Sequence, residues 1–245
     1  MARPARESTS GQWFLTTHWS VVLSARDLNP ALAEMAREEL CKTYWAPIHS
    51  YVRWQGYSPE DAKDLTQAFF AKLLEKDFWA RANPEKGKMR SFLLTALKQF
   101  LSDERDRANA AKRGGGAPVV SLDDSGVKEQ FFATDEQSSA ERSFDQKWAA
   151  AILDAARARL REECAGSGKA ALFEEVNLLG EADAKSVTYA DVAARLGMGV
   201  SGVKTAVSRL RQRYGELVRE EVEKTVAESA DVDGEIAYLL SIIAN

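Results

Sequence analysis

Cysteine and histidine are scarce in this 245-residue chain. Its two cysteines, Cys41 and Cys164, lie far apart, and its two histidines are His18 and His49. No Cys-x-x-Cys or Cys/His spacing is present, so neither a zinc site nor any other cofactor is expected. The thiols read as small buried or half-buried groups in a reducing compartment. His18 adjoins Trp19, and His49 follows Pro47 within an apolar helical pattern, so both read as packing residues. There is no nucleophile–histidine pairing, no phosphate-binding loop and no ligand cluster, so the chain is not expected to be an enzyme. No run reaches the ~18 apolar residues that a membrane helix needs. Arg3 and Arg6 precede the apolar stretch at residues 13–23, but Thr16, Thr17 and His18 interrupt it, unlike a signal peptide. No membrane association is expected, and the chain should stay in the cytoplasm. An excess of positive charge is also missing. The formal net charge is −4, which neither supports nor excludes nucleic acid, because DNA affinity depends on local Lys/Arg clusters.

Apolar residues at 45 % and charged residues at 29 % are ordinary for a globular protein, and six tryptophans supply bulk for real cores. No hairpin signal or internal repeat stands out. The pattern predicts an all-α fold of two small helical domains joined by a linker. Residues 1–12 are small, polar and basic. A first domain covers 13–113. Within it, Ser58-Pro59-Glu60-Asp61 reads as a helix start with Ser as N-cap and Pro at the first helical position. That helix is expected to reach about Lys76. Asn83-Pro84 and Gly87 mark a turn, and a second long helix runs from about Lys88 to Arg113. Residues 114–138, with a triple glycine, Pro118 and scattered Ser, Asp and Glu, read as a linker. Residues 139–226 form the second domain. Residues 227–245 form a short amphipathic tail whose stripe is Val232, Ile236, Leu239, Leu240 and Ile243. Such a stripe must dock on this protein or on a partner.

Residues 188–214 have the pattern of a helix-turn-helix. Thr188 can cap the first helix, with Asp191 in the capping-box position. Val192 and Leu196 face a core, and Gly197 can take the left-handed conformation that turns the chain. On a helical wheel, the second helix puts Val203, Ala206, Val207, Leu210 and Tyr214 on one face. The opposite face carries Ser201, Lys204, Thr205, Ser208, Arg211 and Gln212, with Arg209 flanking. Residues 195–214 contain no Asp or Glu. A bundle helix would usually scatter acids among its bases for i,i+4 pairs. An acid-free face of Lys, Arg, Gln, Ser and Thr instead suits phosphates and base edges in a major groove.

The helix from Pro59 has a core stripe of Ala62, Leu65, Phe69 and Leu73. Phe70 and Leu74 fall off it, beside Asp64 and Gln67, which suits either an exposed patch for a protein partner or a slightly wide core face. Two stretches here resemble those of bacterial RNA polymerase sigma factors. Residues 61–70, Asp-Ala-Lys-Asp-Leu-Thr-Gln-Ala-Phe-Phe, resemble the helix by which these factors grip core polymerase. Lys88-Met89-Arg90-Ser91-Phe92-Leu93-Leu94, followed by Asp103-Glu104-Arg105-Asp106-Arg107, resembles the helix that recognises and melts the promoter −10 element. The helix-turn-helix falls where that family places its −35-reading domain. The likeness spans about residues 13–225. It is closest to a branch of extracytoplasmic-function factors with Thr-Thr-His-Trp-Ser-Val-Val near the start (here 16–22), Tyr-Trp-x-Pro-Ile (44–48), Asp-Leu-Thr-Gln (64–67), Lys-Arg-Gly-Gly-Gly (112–116) and an amphipathic C-terminal tail.

The resemblance implies a specificity subunit that directs promoter-specific initiation, with core RNA polymerase and promoter DNA as partners. Asp61, Asp64, Gln67, Phe70 and Leu74 would contact core polymerase. Lys86, Lys88, Arg90, Phe92, Lys98, Gln99, Arg105, Asn109 and Arg113 would meet the −10 strand, the cations at phosphates and Phe92, Gln99 and Asn109 at unstacked bases, with plain packing at the edge of the core stripe as the alternative for Phe92. Asp103, Glu104 and Asp106 oppose a simple basic groove, and Asp103 is placed to pair with Arg107. An anti-sigma protein, a kinase or the tail itself are the candidate regulators. The rival reading is a helix-turn-helix regulator that never engages core polymerase.

Overall fold

A computed structural model of the protein describes residues 30–73, 88–112, 135–178 and 187–244. Eight α-helices and no strand occur among the described residues: α1 (Pro30–Trp54), α2 (Pro59–Leu73), α3 (Met89–Lys112), α4 (Asp135–Gly166), α5 (Ala170–Leu178), α6 (Tyr189–Leu196), α7 (Val200–Glu223) and α8 (Val232–Ile243). A single 3₁₀ turn, Ser229–Asp231, leads into α8. The all-α expectation is met. None of these helices is long and apolar enough to cross a membrane.

The helix ends follow from local chemistry. The Ser58 hydroxyl accepts the Asp61 N–H at 3.1 Å, which fixes the start of α2. Thr188 and Asp191 form a reciprocal capping box at α6: the Thr188 Oγ1 accepts the Asp191 N–H, and the Asp191 carboxylate accepts the Thr188 N–H at 2.8 Å. α6 ends at Gly197, whose φ of +62° places it in the left-handed region. A Cβ at Gly197 would meet nothing within 4 Å, so substitution there strains only the backbone. Gly197→Ala should therefore cost about 1–2 kcal/mol, and Gly197→Asn less, since Asn tolerates this region. Chemical denaturation of the two variants against the parent checks both values.

The largest core joins the two halves of the chain. Tyr44, Ile48 and Val52 of α1, Phe69 and Leu73 of α2, and Met89, Leu93 and Leu97 of α3 are all buried in it. So are Phe144, Trp148 and Ile152 of α4, Val222 of α7, and Val232 and Leu239 of α8. This core takes side chains from both sides of residue 139. α4 is one unbroken helix of 32 residues; its first half packs on α1 and its second half carries Leu160 and Cys164 into a separate cluster with Phe173 and Leu217. A third small cluster, Val192, Ala193, Val203 and Val207, holds α6 on α7. Cys41 is half-buried and Cys164 buried, and burial raises the pKa of both thiols.

The tail docks on this protein, but its buried stripe differs from the expected one. Val232, Glu235 and Leu239 face inward, while Leu240 is 59 % exposed and Ile243 is also exposed. Periodicity cannot anticipate a glutamate in that stripe, because the cations that justify its burial lie on α3 and at the residue preceding it.

Candidate nucleic-acid and partner interface

The α6–turn–α7 unit presents one open polar face. Ser201, Lys204, Thr205, Ser208, Arg209, Arg211 and Gln212 are all exposed on α7. Val203 and Val207 are buried beneath them, with Ala206, Leu210 and Tyr214 half-buried, as the helical wheel predicts. The Thr205 hydroxyl donates to the Ser201 carbonyl at 3.1 Å, and the Gln212 amide donates to Glu216 at 3.3 Å. The Lys204 ammonium lies 6.0 Å from the Tyr189 ring, so α6 supports the base of this face. Hydrogen bonds from the Thr188 side chain and backbone hold the Asp191 carboxyl below the usual Asp range, which keeps the cap ionised.

Arg213 marks the edge of the face. Its guanidinium bonds Glu163 of α4 at 2.7 Å and reaches Glu216 and Glu220 at 3.0 and 3.3 Å. Arg159 of α4 ties Glu220 and Glu221 in the same way. The acids of α7 therefore begin where the helix turns to its structural role against α4.

On α2, Asp64 and Gln67 are exposed, as expected. Asp61 is exposed too, but its carboxylate accepts the Ser58 hydroxyl at 2.7 Å and so belongs to the cap. Phe70 is not an exposed contact. It is 6 % exposed and stacks on Trp45 of α1 with ring centroids 5.6 Å apart. Thr66 is also buried, its hydroxyl donating to the Ala62 carbonyl at 2.6 Å. The core face of α2 is wider than its sequence stripe because α1 brings an aromatic partner to Phe70. Leu74 lies outside the described residues.

The residues read as −10 contacts divide along α3. Gln99 and Asn109 are exposed. Arg105 is exposed and bonds the Tyr57 hydroxyl at 3.1 Å and the Gln55 amide oxygen at 2.9 Å, linking α3 to the turn after α1. Phe92 is half-buried and packs against the core. Lys98 pairs with Glu141 of α4 at 2.5 Å. Lys88 pairs with Glu235 of α8 at 2.6 Å. Arg90 bonds the same carboxylate at 2.5 Å and Asp145 of α4 at 3.4 Å, and its side chain is only 13 % exposed. Lys88, Arg90 and Lys98 are thus not the free cations the sequence suggests; acids of α4 and α8 hold them. Burial opposes the Arg90 charge, but the Glu235 hydrogen bond and charge outweigh it and hold the guanidinium's pKa above its ordinary value. Asp103 pairs with Lys72 of α2 at 3.5 Å, and Arg107 pairs with Glu104, so the expected Asp103–Arg107 pair gives way to one across helices. Lys86 and Arg113 lie outside the described residues.

Trp54 lies outside the residues that the sequence motifs single out. It ends α1 at 56 % exposure, adjacent in the chain to Gln55, which Arg105 contacts. A large aromatic at a helix end ahead of Gly56 was the available signal. Its ring stands exposed at the end of α1, next in sequence to the Gln55 that Arg105 of α3 bonds. No group of three or more His, Cys, Asp or Glu among the described residues is placed to hold a metal ion. Comparison with protein-family models, curated proteins and solved structures finds no match to this chain.

Proposed function

We propose that this protein is a sigma factor of the extracytoplasmic-function type, with a −35-reading helix-turn-helix in its second domain. It would bind core RNA polymerase and direct promoter-specific initiation. The observation that carries the reading is the acid-free face of α7. Seven donor-bearing side chains stand exposed on it, on a helix anchored by a capped partner and a left-handed turn. That is the geometry by which a recognition helix enters a major groove.

Three parts divide the work. The α7 face reads the −35 duplex. Asp64 and Gln67 on α2 engage core polymerase, without the apolar contribution first assigned to Phe70. The exposed Gln99, Arg105 and Asn109 of α3, with the exposed Trp54 ring as a stacking surface, capture the unstacked −10 strand, so that binding to open bases favours melting.

The burial of Phe70 favours one competing reading, a helix-turn-helix regulator that does not touch core polymerase, because it removes the apolar anchor of the partner patch. Size-exclusion chromatography with purified core RNA polymerase separates the two. The sigma reading expects stoichiometric co-elution that Asp64→Ala with Gln67→Ala abolishes. A chain that binds DNA yet never co-elutes is the competing regulator.

A further inference from the structure

The start of α3 is held by the C-terminal half of the chain. The Glu235 carboxylate is fully buried and lies between Lys88 at 2.6 Å and Arg90 at 2.5 Å. The Arg90 guanidinium sits 3.9 Å from the Tyr238 ring of α8 and 5.4 Å from the Trp148 ring of α4. The Tyr238 hydroxyl donates to Asp145 at 2.5 Å, and Asp145 reaches Arg90 at 3.4 Å. One helical turn before Asp145, Glu141 takes Lys98. The Met89 N–H at the head of α3 donates to the Thr225 carbonyl at 3.0 Å. Arg219 of α7 pairs with Asp233 at 2.6 Å and ties α8 to the same unit.

These acids come from two helices distant in sequence and converge on three of the cations that the −10 reading needs. A carboxylate gripped by Lys and Arg occupies the position a backbone phosphate would take between them. We propose that this arrangement is a self-inhibited state: Glu141, Asp145 and Glu235 stand in for the phosphates of the single strand, and α8 is the latch that keeps them there. The proposal rests on the −10 role assigned to α3. It supplies a regulator within the chain: whatever opens the protein must lift α8 and separate α4 from α3, freeing Lys88, Arg90 and Lys98 together.

The test is fluorescence anisotropy with a fluorescein-labelled single-stranded 20-mer of random sequence. The full-length chain is compared with a full-length variant carrying Glu141→Gln, Asp145→Asn and Glu235→Gln, which keeps side-chain shape. A control carrying Asp154→Asn, Glu162→Gln and Glu228→Gln, exposed acids away from these contacts, has the same net charge. The latch variant should bind about tenfold more tightly than the control, with a steeper salt dependence from the freed cations. Equal affinity of the two variants, both folded by circular dichroism, overturns the proposal. If the latch variant fails to fold, hydrogen exchange in the unmodified chain decides. Amides of residues 232–243 should lose protection when core RNA polymerase and the 20-mer are added, and retained protection in that complex overturns the latch. A chain that binds neither the strand nor core polymerase in any form overturns the function itself, a different result from a full chain that binds as tightly as its latch variant.

Discussion

Substituting Phe70 with alanine will lower the stability of the protein by about 3–5 kcal/mol. The side chain lies within the largest core, stacked on Trp45 and meeting Phe69 edge-on at 6.4 Å. Removing the ring deletes buried apolar area and leaves a cavity between α1 and α2 that the rigid helices cannot fully close. Urea denaturation should show a lower midpoint with an unchanged slope, the signature of lost stability without a changed unfolded state. Asp64→Ala and Gln67→Ala should behave in the opposite way. Both positions are exposed, so each should stay within about 0.5 kcal/mol of the parent while weakening the proposed polymerase contact. If Phe70→Ala were instead fully stable and selectively defective in polymerase binding, Phe70 would be the surface anchor that its place in the sequence first suggests.

Replacing Lys204 and Arg211 together with alanine should nearly abolish duplex binding under the proposed function. Both are exposed on the open face of α7. An Arg lost from a base edge costs about 1–3 kcal/mol in specific binding, and a Lys lost from a phosphate reduces the salt slope by about one. The combined loss on duplex fragments selected by the parent chain should therefore reach about a hundredfold. Thermal stability should stay close to that of the parent. Arg213→Ala is the informative contrast two residues along. Its part-exposed ion pairs are made within the protein, to Glu163 of α4 and to Glu216 and Glu220 of α7 itself. Its loss should loosen α7 from α4 with much less effect on DNA affinity per folded molecule. Equal DNA defects from Arg213→Ala and from the double variant would mean the face is not the one assigned.

Legibility in the sequence followed the range of each interaction. Caps and turns are local, so Ser58, Thr188, Asp191 and Gly197 were readable, and with them the ends of α2 and α6. The two faces of α7 were readable because its buried stripe repeats at helical spacing over a long helix. Long-range pairing was not readable. Phe70 sits off the simple apolar stripe of α2, and only Trp45, on another helix, makes its position a core position. Glu235 interrupts an apolar tail, and only Lys88 and Arg90, far away in the chain, account for its burial. The same blindness made Lys88, Arg90 and Lys98 look like free cations. In the candidate site, the face built from one local unit was therefore anticipated, while the region assembled from three distant segments was not.

The most direct test of the sigma reading is run-off transcription with purified core RNA polymerase, this protein and fragments of its own genome. Transcripts with discrete start sites should appear that require the protein and that fall when Lys204 and Arg211 are both replaced. Tight, sequence-selective DNA binding with no protein-dependent transcript from any fragment would contradict the sigma reading.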